Sequence, residues 1–197
     1  EGVGVEVSTS ESAYGREHLG VDIRTGLLDE AGLTERSFDV AMCFEVIEHV
    51  LDPAAFVRSL ARHVRAGGWV VVHTDNFAAS AVRRMGARFP KWIPHTHVSH
   101  FEPATLRRCF ALAGLRVERE LSVTPWENAV RGVIGAARGW SRSRAADVWR
   151  LEPHLAREMA RGYPHAGLRK AMAEAWFRVA ARGDARGSMM YMAGRVE

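Results

Sequence analysis

The sequence predicts an α/β protein on a mainly parallel sheet, and three observations carry that expectation. Short apolar, β-branched runs alternate along the chain with segments of helical period. Polar caps and glycines punctuate them, and the connections are short. With 197 residues and 47% hydrophobic content, one domain can bury a core of its own.

GVGVEV (Gly2 to Val7) reads as a short buried strand, followed by Ser8-Thr9-Ser10, a turn suited to capping a helix. VDIRTG (Val21 to Gly26) and FDVAMCF (Phe38 to Phe44) are the next strands, and EVIEHV is expected to turn helical at Glu45. Asp52-Pro53 supplies an N-cap and a first-turn proline for a helix through Val64, with Phe56, Leu60 and Val64 on one face. Ala66-Gly67-Gly68 should stop it, and WVVVHT (Trp69 to Thr74) is a β-branched buried strand.

Residues 77–101 read as a loop rich in aromatics and histidine, including Phe89, Trp92, His95, His97, His100 and Phe101. Pro103 opens a helix with Leu106, Phe110 and Ala113 on one side and Gly114 at its end. LRVEREL (Leu115 to Leu121) alternates apolar and charged residues, as an edge strand does. From Pro125 to Gly183 the pattern is helical, with Leu168, Met172, Trp176 and Val179 on one face, and GSMMYMAGRV closes the chain as a strand. The helical stretch is bracketed by strands, so it reads as an insertion or cap: core 1–124, cap 125–183, last strand 184–197.

Composition excludes some classes. No apolar run approaches the roughly 20 residues that span a bilayer, and the first residues lack the basic and apolar regions of a secretory signal. Two cysteines, Cys43 and Cys109, within apolar segments read as reduced structural residues, so the cytoplasm is the expected compartment. The net charge of +4 is carried mostly by arginine, the two lysines being Lys91 and Lys170. No basic helix with interleaved aromatics marks a nucleic-acid surface.

The order of segments resembles the class I S-adenosylmethionine (SAM) dependent methyltransferases, in the branch of the ubiquinone-biosynthesis O-methyltransferases. SFDVAMCFEVIEHVLDP (Ser37 to Pro53) is similar to that family's fourth strand and loop, HVRAGGWVVVHTDN to the next helix end and strand, and HVSHFEPATLRRCFALAGLRVE to the unit after it. The resemblance implies a Rossmann-like methyltransferase sheet, mainly parallel with an antiparallel last strand and a helical insertion before it. It implies SAM as cofactor, with Glu6 and Val7 at the ribose, Leu27 and Leu28 flanking the adenine, and Cys43, Phe44 and Glu45 at the methionine end. A carboxylate suits the ribose because it accepts two hydrogen bonds from a vicinal diol. The family's first strand and glycine-rich loop have no counterpart here, since Gly2 and Gly4 precede the acidic residue within a strand. The expectation is an N-terminally truncated sheet with a gap at its centre.

Glu45, Glu48 and His49 form an E-x-x-E-H group whose spacing puts all three on one face of a helical turn. With His97 or His100 they would suit Mg²⁺ or Mn²⁺, as the resemblance to metal-binding relatives also implies. The same residues also serve without metal, Glu45 facing the cofactor while Glu48 and His49 order the loop. His49, His97 and His100 are candidate general bases toward a hydroxyl acceptor, although methyl transfer rests chiefly on alignment. Trp126, Trp140, Trp149 and Trp176 would line an acceptor pocket or bind the cap to the sheet, and Arg131, Arg138 and Arg142 would meet an anionic acceptor. The reading is methyl transfer to a small-molecule acceptor at oxygen, nitrogen or carbon. A catalytically silent domain for binding or homodimer formation is the alternative. A nicotinamide-dependent enzyme is the third reading, and it has no use for the His-Phe and E-x-x-E-H loops.

Overall fold

A computed structural model describes residues 2–89, 91–92, 95–125, 166–183 and 186–197. Strand β1 (Gly4–Glu6) leads into helix α1 (Thr9–Leu19), whose N-cap Ser8 accepts the Glu11 amide through its hydroxyl. Strand β2 (Ile23–Thr25) returns parallel to β1, with Glu6 opposite Thr25. The buried Ser12 on α1 shares a 2.7 Å hydrogen bond with the Thr25 hydroxyl, which fixes the helix against this strand pair.

The second sheet has four strands. Strand β3 (Phe38–Phe44) pairs parallel with β4 (Val64–Asp75). The crossover between them is α2 (Pro53–His63), capped by Asp52, whose carboxylate accepts the Ala55 amide at 2.9 Å. Next come α3 (Ser80–Met85), α4 (Pro103–Leu112) and β5 (Arg116–Val123). Helix α5 (Ala166–Ala180) and strand β6 (Met189–Arg195) complete the described elements. The order is β3-β4-β6-β5, with β6 antiparallel to both neighbours and β5 at the edge, as its charged alternation predicts. Each of the four amino-proximal strands lies parallel to a neighbour, but no described backbone pairing joins β1–β2 to the larger sheet.

Side chains alternate across the larger sheet. One face of β3, β4 and β6 packs Cys43, Val70, Val72 and Met192 against α2 and α4, which contribute Val57, Leu60, Leu106 and Phe110. These residues form one contiguous core. On the opposite face of β3, Val40, Met42 and Phe44 stand exposed. Among the described residues, no helix is long and apolar enough to cross a membrane.

Four local expectations change. Ala66-Gly67-Gly68 does not stop a helix: α2 ends at His63, and the glycines lie inside β4. The chain goes directly from helix into strand because Val64 turns extended, and Gly67 absorbs a φ of +75° where the β3–β4 register shifts. The 77–101 stretch is not loop throughout, since Ser80–Met85 is a helix, too short to show a clear period. Glu45 does not begin a helical turn: its φ is +52°, and the turn that follows, Ile47–His49, is a 3₁₀ turn. Finally, the stripe on α5 is not buried, with Met172, Trp176 and Val179 all exposed. Phe177 packs inward instead, edge-on to Tyr191.

Candidate functional site

Ligands of open α/β sheets gather beyond the carboxyl ends of the parallel strands, and the unusual chemistry of this chain collects there. At the end of β1 the half-buried Glu6 folds back so that Oε1 accepts the Ser8 amide at 2.8 Å. The acid is thereby held over the first turn of α1, beside the exposed Val7. Beyond β2, Leu27 is exposed, while Leu28 packs partly against the core. Arg24 ties this loop down by donating to the Ala31 and Gly32 carbonyls.

The end of β3 has a different character. Cys43 is buried, and its thiol is pushed up to about 12, by burial first and by the Glu48 charge second. It is a packing residue and no nucleophile. Phe44 is 51% exposed, and the Glu45 amide donates to the His73 carbonyl at 3.0 Å. The fully buried Ile47 anchors the 3₁₀ turn, which carries Glu48 inward to 2% exposure. There Glu48 Oε2 accepts the Thr74 hydroxyl at 2.9 Å.

His49 stays exposed, with Nδ1 2.8 Å from the Thr96 carbonyl oxygen. An oxygen there makes Nδ1 the protonated nitrogen and leaves Nε2 with its lone pair. The His97 ring stands edge-on to His49, 4.8 Å between centroids, and burial holds its pKa below the ordinary value, aided by its cationic neighbours. His100 is farther off, 6.3 Å from His97, and packs against Phe77 and Trp92.

The E-x-x-E-H group therefore divides. Donor atoms of Glu48, His49 and His97 lie within 4.8 Å of one another, and so do those of Glu45, Glu48 and Asp75. The first set mixes carboxylate with an imidazole whose second nitrogen is already bonded to a carbonyl, which fits a divalent ion. Glu45 belongs to the second set. The left-handed backbone at Glu45 breaks the one-face spacing that a helix would have imposed.

Three participants were not singled out from sequence. Asp75, at the last position of β4, is only 3% exposed, and burial raises its carboxyl to about 6 although Lys91 opposes the shift. The Lys91 ammonium lies 3.2 Å from Glu45 Oε1 and 3.6 Å from Asp75 Oδ2. Burial pulls it down, but Asp75 and Glu45 together outweigh that and hold its pKa above the ordinary lysine value. Tyr191 on β6 completes a row across the sheet, Phe44–His73–Tyr191–Leu121, defined by strand register. His73, buried within that row, is kept below its ordinary pKa by burial and has no hydrogen bond to either ring nitrogen. A carboxylate ending an apolar strand, and one of only two lysines lying in a histidine-rich loop, were the available signals.

Helix α5 is rooted at the same end of the sheet. Val123, Met189 and Asp75 share one register row. Ser122 and Arg182 exchange backbone hydrogen bonds, and Trp176 Nε1 donates to the Thr124 carbonyl at 2.7 Å. Trp126, Trp140, Trp149 and the three arginines of the insertion, Arg131, Arg138 and Arg142, lie outside the described residues.

Carboxylates gathered at the carboxyl ends of parallel strands, with Asp75 and Glu48 buried there, occupy the place where open α/β folds of the Rossmann-like class hold their ligands. The chain matches the methyltransferase domain family over residues 3–120, and it belongs to that family. It is 34% identical over 133 residues to the ubiquinone biosynthesis O-methyltransferase of Thiobacillus denitrificans, covering 61% of this chain and 57% of that one. The protein of the same description from Brucella anthropi is 30% identical over 157 residues, covering 74% and 60%. The chain thus spans about three-fifths of the length of these curated relatives.

Solved structures agree on the fold. A SAM-dependent methyltransferase of Thermotoga maritima, described as a possible histamine N-methyltransferase, superposes with a TM-score of 0.63 at 16% identity, covering 99% of this chain and 72% of that one. The geranyl diphosphate C-methyltransferase of Streptomyces coelicolor, solved with Mg²⁺, geranyl diphosphate and S-adenosyl-L-homocysteine, gives 0.53 at 14% identity, covering 99% and 62%.

Proposed function

We propose that the protein is a SAM-dependent methyltransferase acting in the cytoplasm on a small-molecule acceptor. The observation that carries this reading is the family match over residues 3–120, with Glu6 at the carboxyl end of β1 and Glu45 and Asp75 at those of β3 and β4. SAM, when bound, supplies an electrophilic methyl carbon on a sulfonium. Glu6 accepts hydrogen bonds from the ribose hydroxyls, beside Val7. Leu27 and Leu28 offer apolar surface to the adenine, and Phe44 and Glu45 line the methionine end, with the Cys43 side chain turned into the core behind them.

On the acceptor side, His49, His97 and His100 are the groups able to take a proton from an attacking hydroxyl or amine. The lowered pKa of His97 keeps its ring neutral and receptive at neutral pH. Glu48, His49 and His97 are the residues that would hold a divalent ion, whose charge would draw an acceptor oxygen toward its deprotonated form. We assign residues 1–124 to the cofactor-binding core, 125–183 to a cap over the acceptor, and 184–197 to the closing strand. The rooting of α5 and β6 at the Asp75 end of β4 supports the cap.

The test is release of S-adenosylhomocysteine by the intact protein from labelled SAM with a panel of phenolic, amine and carbon-nucleophile acceptors. Label transfer to at least one class is expected. SAM binding without transfer to any of them would favour a silent binding domain.

A further inference from the structure

The family resemblance invites a divalent ion into the carboxylates at the ends of β3 and β4, but those carboxylates have a cation of their own. Lys91 reaches Glu45 Oε1 at 3.2 Å and Asp75 Oδ2 at 3.6 Å, and Glu45, Glu48 and Asp75 bring their donor oxygens within 4.8 Å of one another. The Asp75 side chain is 4% exposed, and its Oδ2 has no hydrogen bond. A buried carboxylate without a compensating charge is costly, so the ammonium answers a need that the fold creates.

We propose that Lys91 is the resident cation of this cluster, competing with divalent metal for Glu45 and Asp75 and holding the metal affinity of the whole site low. Glu48, His49 and His97 remain as a three-donor set with a fixed positive charge at the neighbouring carboxylates. Two like charges a few ångströms apart repel strongly where water is scarce. An ion entering beside Lys91 therefore meets repulsion, and it finds two of the three carboxylates already engaged. Removing the ammonium reverses both effects: Glu45 and Asp75 become free donors, and the repulsion disappears.

The inference goes beyond the methyl-transfer reading, and its test needs neither SAM nor an acceptor. Binding of Mn²⁺ to the intact protein is followed by loss of the free-ion signal in electron paramagnetic resonance. The expected result is weak binding by the wild type and binding tighter by about tenfold or more in Lys91→Met, a difference worth about 1.4 kcal/mol. Lys91→Arg, which keeps the charge, should stay weak, and adding Asp75→Asn to Lys91→Met should take back most of the gain. The inference is overturned if Lys91→Met binds Mn²⁺ no more tightly than the wild type, or if Lys91→Arg binds as tightly as Lys91→Met. If Lys91→Met does not fold, Lys91→Gln carries the same expectation. Failure here leaves the cofactor reading untouched, because SAM binding is measured separately in chelator.

Discussion

Thr74 Oγ1 donates a 2.9 Å hydrogen bond to Glu48 Oε2, and both side chains are shut away from solvent. The bond joins the last turn of β4 to the 3₁₀ turn after β3, so it sets the spacing of the two loops that build the site. Thr74→Val preserves shape and deletes the donor. We predict a loss of about 1–3 kcal/mol in unfolding free energy, read from urea denaturation. A variant as stable as wild type would show that Glu48 finds another partner.

Gly68 lies where β4 approaches β3 most closely. A β-carbon there would sit 2.6 Å from the Asp39 carbonyl oxygen and 2.5 Å from Val64 Cγ1. Backbone cannot yield as a flexible side chain can, so Gly68→Ala should cost about 1–3 kcal/mol. Gly86→Ala is a useful contrast, since nothing stands near that position and only its positive φ opposes the change. Thermal melts of the two variants should rank Gly68→Ala as the more damaging.

Asp75 makes stability depend on pH in a defined window. Burial raises its carboxyl from an ordinary 3.8 to about 6, so between those values the folded chain holds a proton that the unfolded chain releases. Its contribution is fully present below about pH 4 and is lost as pH rises through 6. His73 acts in the opposite sense: burial lowers its pKa, so stability falls as pH drops below 6.5. Subtracting wild type from Asp75→Asn isolates the first effect. The stability difference should grow in favour of the variant from pH 4 to 6 and level off above. A difference independent of pH would contradict the assignment.

Much of this architecture was legible because burial writes itself into periodicity. Phe38 to Phe44 is an apolar run broken only by Asp39, Val70 to Val72 is β-branched, and Asp52-Pro53 caps its helix, so these elements appear where the residues place them. Two of the failures share a cause, since they sit where one backbone angle overrides local pattern. Gly67 continues a strand by adopting φ of +75°, and Glu45 leaves its helical register at φ of +52°. No periodicity encodes either angle. The site was half legible for the same reason. Glu48 and His49 were readable as donors from type and spacing and His97 through the resemblance, whereas the Lys91–Glu45–Asp75 contact joins three separate segments and depends on the course of the loop after α3. The α5 stripe misled because Met172, Trp176 and Val179 satisfy a helical period without facing the sheet.

Binding of SAM at the carboxyl end of β1 is the central claim, and isothermal titration of the intact protein with SAM tests it most directly. We predict saturable binding that Glu6→Ala weakens by about 1.5–3 kcal/mol, tenfold or more. Absence of SAM binding, or an affinity unchanged in Glu6→Ala, would contradict the assignment of the β1 carboxylate to the ribose and the methyl-transfer reading built on it.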